Sequence, residues 1–360
     1  MLGWCLVLAA AARPALAQAE SDDSDGPTSP GVSVIPLPVI AYSPETKLQL
    51  GVAAVTVLRP QLEQQRATSF KTVAIYSTNH SATLEFELEA FLLDDRVFLG
   101  TRLELQHMPS TLFGIGNHTD LDDAEDFTRS TLTAETLPMY AAARYIYLGP
   151  IAKLDLYDLD ERQEGGLLDS DAVLGARSGR DLGVGIASRY DSRDHSVGPM
   201  AGHLLKASAR AHHGLTGSQF AYERYGLEAR TYARLYREQV LAVAASAAVL
   251  RGSVPYFNLL KLGGWESLRG HFGGRYRDKT RVMLQAEYRV PIVWRIGAVG
   301  FGGVGDVGSS PGGLLSHGLK FSVGGGLRLL LDADARVNLA IDFGYAGDQT
   351  GLYVELGEAF

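Results

Sequence analysis

No apolar run in this chain of 360 residues approaches the roughly 18 to 20 that a membrane helix needs. That absence excludes a helical membrane protein, although 46% of the residues are hydrophobic and the mean hydropathy is +0.00. Cysteine is almost lacking too, Cys5 being the only one. It lies in the one continuous apolar stretch, Trp4 to Ala12, with no lipobox-like Leu-Ala-Gly pattern before it, so it reads as filler rather than as a lipid-anchor site. Pro14-Ala15-Leu16-Ala17 follows, and residues 1–17 read as a secretory signal cleaved before Gln18. Its start lacks Lys and Arg, so either the amino terminus supplies the charge or the true start lies upstream. The remaining chain has no cysteine, as suits an exported protein that avoids accidental disulfides. An excess of positive charge is missing as well: the net charge is −8, and −9 once Arg13 is removed (−8 − 1), which argues against nucleic-acid binding. Residues 18–32, rich in Asp, Ser, Gly and Pro, read as a flexible periplasmic leader.

What is present is alternation. Leu84, Phe86, Leu88 and Ala90 interleave with Glu85, Glu87 and Glu89, and Tyr225, Leu227 and Ala229 with Arg224, Glu228 and Arg230. Val282, Leu284, Ala286 and Tyr288 interleave with Arg281, Gln285, Glu287 and Arg289; Val337, Leu339, Ile341 and Phe343 with Arg336, Asn338 and Asp342. In the last segment Leu352, Val354, Leu356 and Phe360 share one face, and Tyr353, Glu355, Gly357 and Ala359 the other. Period two means strands. Faces so rich in full charge cannot form a dry core, because an unpaired buried charge costs several kcal/mol. The charges must line a wet lumen while the apolar rows face lipid.

The pattern predicts strands at about 35–42, 47–58, 70–77, 82–92, 96–107, 127–142, 146–159, 182–191, 202–212, 219–236, 239–252, 280–289, 295–307, 318–331, 334–345 and 350–360. This makes the chain all-β, a sixteen-stranded antiparallel transmembrane β-barrel over residues 33–360. Tight turns such as Leu93-Asp94-Asp95 and Asp332-Ala333-Asp334 interleave with long loops near 108–126, 160–181 and 253–279, placing the short turns in the periplasm and the long loops outside. Val240 to Val249 is apolar on both faces, so the pattern leaves its orientation open.

Within the longest loop, Gly263-Gly264-Trp265-Glu266-Ser267-Leu268-Arg269-Gly270-His271-Phe272 resembles the sixth outer loop of the BamA/TamA superfamily of outer-membrane assembly and secretion barrels, the bacterial surface antigen barrels. Further pieces fall in the family's order: Pro38 to Thr46 at the first hairpin, Phe113 to Asn117 in the third outer loop, Tyr190 to Asp194 at a periplasmic turn, Ala286 to Arg289, and Phe360. The resemblance implies that the loop folds back into the lumen with Arg269-Gly270 at its tip. It departs from the family where Phe301-Gly302-Gly303 replaces Phe-x-Asp, removing the usual acidic partner of the loop arginine, and where His271 replaces an aromatic residue. Periplasmic docking domains of the kind carried by assembling or secreting members have no room between residue 18 and the first strand. The resemblance further implies a barrel in the outer membrane of a Gram-negative bacterium that aids insertion or translocation of proteins or lipids. Its partners would be outer-membrane lipid and lipopolysaccharide, with substrate barrel proteins or a periplasmic partner. The other reading is a passive structural or pore-forming barrel plugged by its own loop.

Three expectations about residues follow. With Gly303 in place of the acid, Glu287 is the candidate carboxylate for Arg269, in a lumenal lock with Gly270 and Phe301. Pro36 and Pro38 in the first strand, which donate no ladder hydrogen bonds, and Gly357 in the last mark a weak lateral seam. Phe360, ending a strand on its lipid side, is the signal for barrel assembly. Enzyme-like strings carry less. Gly308-Ser309-Ser310-Pro311-Gly312 matches Gly-x-Ser-x-Gly without the strand-to-helix turn of a nucleophile elbow. Gly303 to Gly308 matches Gly-x-Gly-x-x-Gly without a helix to hold a pyrophosphate, and reads as a glycine-rich bend in a barrel strand. Adjacent His212 and His213 point opposite ways on a strand, which is poor metal geometry. Asp120, Asp122, Asp123, Glu125 and Asp126 could hold divalent cations beside lipopolysaccharide, but read more simply as a solvated loop, and Trp265 as a wedge for the inserted loop or a surface aromatic. No enzymatic activity, cofactor or metal is expected.

Overall fold

Sixteen strands close into one antiparallel barrel in the computed structural model, which describes residues 31–59, 68–170, 173–316, 318–333 and 336–360. The barrel strands are β1 (Gly31–Ser43), β2 (Lys47–Arg59), β3 (Thr68–Ser77), β4 (Ala82–Leu92), β5 (Val97–Leu112), β6 (Glu125–Ala143), β7 (Ile146–Arg162), β8 (Gly179–Asp191), β9 (Gly202–His212), β10 (Ala221–Arg234) and β11 (Val240–Ser253). After the long sixth outer loop come β14 (Thr280–Val293), β15 (Ile296–Gly308), β16 (Lys320–Asp332), β17 (Val337–Tyr345) and β18 (Thr350–Leu356). The loop itself carries two short strands, β12 (Leu260–Leu262) and β13 (Tyr276–Asp278), paired only with each other. Every predicted strand is present. The signal and nearly all of the leader fall on residues 1–30, outside the described residues, while Gly31 and Val32 already belong to β1.

Alternation decides which side chains face lipid. Val34, Val52, Ile186, Phe321 and Phe343 are exposed on the outer wall, whereas Asp155, Arg189, Gln285, Glu287 and Asp342 are buried within. The strand apolar on both faces resolves by its alternating burial. Val240, Ala242, Ala244, Ala248 and Leu250 pack into the lumen, and Leu241 faces out.

Contacts reach across both ends of the barrel. At the outer end Leu112, Phe127, Tyr157, Leu168, Tyr222 and Phe257 belong to one buried apolar cluster. Fully burying a large apolar side chain contributes about 1.5–3 kcal/mol, so the outer loops are held as a cap. His212 turns inward to Asp181, 2.9 Å away, while the neighbouring His213 caps a short 3-10 turn at Gly214–Thr216. Ser310 precedes another such turn, Pro311–Gly313, in the outer loop after β15. At the periplasmic end Asp194, on the β8–β9 connection, accepts a 2.8 Å hydrogen bond from Arg336 on the β16–β17 connection, so that the first reaches across the opening.

Candidate functional site: the loop lock and the strand seam

Loop residues 263–275 leave the β12–β13 ribbon and descend along the inner wall. Four glycines with positive φ, Gly263, Gly264, Gly270 and Gly274, make the reversals. At the tip Leu268 and Arg269 are 1% exposed. The Arg269 guanidinium donates to Glu287 on β14 and to Asp342 on β17, and its carbon lies 3.6 Å from the ring centre of Phe301. Loop and wall are further joined by hydrogen bonds from Gly270 N to the Tyr353 hydroxyl (3.1 Å), Phe272 N to Gln349 Oε1 (2.8 Å) and Gln285 Nε2 to the Glu266 carbonyl (2.9 Å). Trp265 is half-buried, its ring centre 6.1 Å from Tyr353 and 5.1 Å from the Arg269 guanidinium.

The strand register explains why the tip fits here. Glu287 pairs with Phe301, Phe301 with Gly324, and Gly324 with Gly344, one row across four strands. A Cβ at Gly324 would meet the Phe301 ring at 2.3 Å, and one at Gly344 would meet the Arg269 backbone at 2.6 Å. The row therefore offers an acid, an aromatic face and a bare backbone at one height. The Gly303–Gly308 segment plays the same part and is not a bend: it lies within continuous β15, and a Cβ at Gly303 would meet Leu268 at 2.6 Å.

Arg269 is one member of a closed ring of charges. Glu287 also accepts from Arg289 (2.7 and 2.9 Å), Arg289 faces Glu358 at 3.7 Å, Glu358 accepts from Arg328 at 2.8 Å, and Arg328 donates to Asp342 at 2.5 Å. Three arginines and three carboxylates alternate around it. Pairing of this kind offsets the desolvation that makes lone buried charges costly. The acid lacking at Gly303 is thus supplied from elsewhere: Glu287 was legible on the lumenal face of its strand, and Asp342 completes the grip from β17.

Two site residues stand differently from their sequence reading. Phe360 does not sit on the lipid face of a terminal strand. β18 stops at Leu356, Gly357 takes a φ of +97°, and the chain turns into the lumen, where Phe360 packs with Tyr232, Val240, Ala242 and Ala244 and its carbonyl accepts from Arg289 at 2.9 Å. Gly357 is accordingly the bend that ends the strand, not a gap within its ladder. The cause is the same charge ring, which draws Glu358 inward to Arg328.

This inward turn shortens the seam. β1 and β18 share one registered pair, Tyr42 with Val354, against seven pairs between β17 and β18 and thirteen between β1 and β2. Pro36 and Pro38 pair with Ala54 and Val52 on β2, expose their rings outward, and have no registered partner on β18. Among the described residues, no group of His, Cys, Asp and Glu side chains is arranged to hold a metal ion.

A model of the Omp85 superfamily domain matches residues 65–360. Among solved structures the chain is similar to BamA from Haemophilus ducreyi lacking POTRA domains 1–3, at 14% identity and a TM-score of 0.60, over 91% of this chain and 70% of that one. It is similar to CdiB from Escherichia coli, at 13% identity and a TM-score of 0.57, over 92% of this chain and 63% of that one. It is similar also to CdiB from Acinetobacter baumannii, at 12% identity and a TM-score of 0.55, over 91% of this chain and 60% of that one. The chain thus spans less than two thirds of either CdiB chain, and at these identities the likeness is one of fold. No curated protein matches it. With a closed sixteen-stranded barrel and a family match over most of its length, the chain belongs to the Omp85 superfamily, as an outer-membrane barrel of Gram-negative type.

Proposed function

We propose that this barrel aids the insertion or translocation of proteins, or of lipids, at the outer membrane by parting its wall between β1 and β18. The observation that carries the reading is the single registered pair at that seam. A net backbone hydrogen bond contributes about 0.5–1.5 kcal/mol, so a wall opens where its ladder is shortest. The freed β1 edge would pair with a substrate strand by the addition that exposed edges favour. The buried loop lock would hold β14, β17 and β18 together as one rigid flank of the opening. The proposed activity is not enzymatic, and its partners are substrate barrel proteins or a periplasmic protein.

The test uses the lack of cysteine beyond Cys5. Tyr42→Cys and Val354→Cys stand opposite one another and should crosslink under oxidation, leaving a folded barrel. Deleting the gene should change the census of outer-membrane proteins or lipids, the double variant should restore it only when reduced, and full activity of the oxidised barrel refutes the seam. The outer cap and the buried lock favour a second reading, a structural barrel plugged by its own loop. An unchanged census with steady conductance in planar bilayers would establish that alternative.

A further inference from the structure

A second group of cations lies in the outer half of the lumen, and its surroundings are the reverse of the lock's. Lys261 and Arg277 are register partners on the β12–β13 ribbon. Like charges directly opposite in an antiparallel pair are destabilising. They converge beside Gly274, where a built Cβ would lie 3.1 Å from Lys261 Cδ and 3.2 Å from Arg277 Nη2. Arg129 of β6 lines the same cavity, about 820 Å³ in volume.

None of the three is neutralised. Arg277 is 3% exposed, yet its guanidinium reaches only the carbonyls of Gly274 (3.0 and 3.2 Å) and Thr111 (3.5 Å). Arg129 Nε is buried without a hydrogen-bond partner, and so is the hydroxyl of Tyr256. Among the described residues no carboxylate stands within ion-pairing distance of Arg129, Lys261 or Arg277. Glu45, Asp126 and Glu161 also line the cavity but turn to neutral donors, Gly273 N, the Thr111 hydroxyl and the Thr128 hydroxyl, while Glu104 is paired with Arg102. A buried cation without a counter-charge is costly, and two set face to face more so.

We propose that Arg129, Lys261 and Arg277 bind the phosphate ester of a phosphorylated saccharide. Two guanidinium groups and an ammonium suit the charge and the several acceptor oxygens of a phosphate monoester. The volume exceeds what phosphate needs and lies within the range of small-molecule sites, roughly 300–1,000 Å³. Gln106, Ser110 and Gln163 on its walls can meet sugar hydroxyls. The cavity extends to Pro44 and Asn79 in the first two outer loops, so the ligand arrives from outside, either on an outer-leaflet glycolipid or as a free sugar phosphate. This site is independent of the seam.

The test titrates the full-length barrel in detergent micelles with glucose 6-phosphate, inorganic phosphate, glucose and lipopolysaccharide, read by calorimetry and by the unfolding midpoint. Glucose 6-phosphate or lipopolysaccharide should bind and raise the midpoint, glucose should not, and Lys261→Gln and Arg129→Gln should each weaken binding about tenfold or more. Response to lipopolysaccharide alone assigns the glycolipid as source, and response to glucose 6-phosphate assigns the free ester as sufficient. Arg277 is left intact because it also ties the loop to Gly274, and Lys261→Gln should fold normally, since it removes a repulsion. Absence of response to every phosphate-bearing probe, a response to inorganic phosphate alone, or binding by the two folded variants as tight as by the native chain overturns the proposal.

Discussion

Two cationic clusters of the lumen share a loop yet differ in partnership. Around Arg269 every cation has an acid on either side, and the row Glu287, Phe301, Gly324 and Gly344 receives the loop tip. Around Arg277, some way up the same loop, cations face cations and backbone carbonyls. In the compensated ring each charge meets two of opposite sign, and the ring holds the loop in place. An uncompensated trio favours whatever anion reaches it, and so differs as a receptor differs from a bolt.

The largest effect expected from disturbing this contrast is at the bolt. Arg269→Ala leaves Glu287 and Asp342 buried without their shared partner, and breaking a buried pair in this way costs about 3–5 kcal/mol. Urea unfolding in lipid vesicles should show that loss, and protease should cut the released loop. Unchanged stability would mean that the ring is already satisfied without the loop.

A smaller effect is expected at Asp194, a paired acid at the periplasmic end. Burial opposes its charge, but hydrogen bonds from Arg336 and from the backbone of Met200 and Ala201 outweigh this and hold its carboxyl below the usual 3.8. A lowered pKa means that the unfolded chain takes up the proton first as acid is added. The clasp therefore contributes fully above about pH 4 and is lost as pH falls through the lowered value. The unfolding midpoint measured from pH 7 to pH 3 should fall more steeply in the native chain than in Asp194→Asn; parallel curves would show that the clasp contributes nothing.

The smallest effect has the opposite sign. Lys261→Gln, without ligand, should raise stability by roughly 0.2–1 kcal/mol, the range of one cross-strand pair. A destabilised variant would place Lys261 among the residues that hold the loop, and the contrast between the two clusters would vanish.

Much of the fold was legible because a strand's two faces are set by neighbours two residues apart. Glu287 could be assigned to the lumen from Gln285 and Arg289 alone. Asp342 stood on the correct face of its strand too, but its role depends on a register running from β14 through β15 and β16 to β17, which no local pattern contains. Phe360 was misplaced for a related reason. Its spacing from Leu356 suits the lipid face, but Gly357 breaks the strand and Arg289 and Arg328 draw the end inward. Nor did the residue pattern suggest that Lys261 would oppose Arg277, since sixteen positions separate them and only the ribbon brings them together.

By itself, the sequence determined that the chain is a barrel: period-two alternation, the charge on one face, and the absence of long apolar runs are properties of neighbouring residues. Tertiary structure alone decided how that barrel is locked and where it is weak. Arg269 meets Asp342 across 73 positions, and Tyr42 meets Val354 from opposite ends of the chain. Such contacts arise only when closure sets the register and the lumen is small enough for an inserted loop to reach several walls at once.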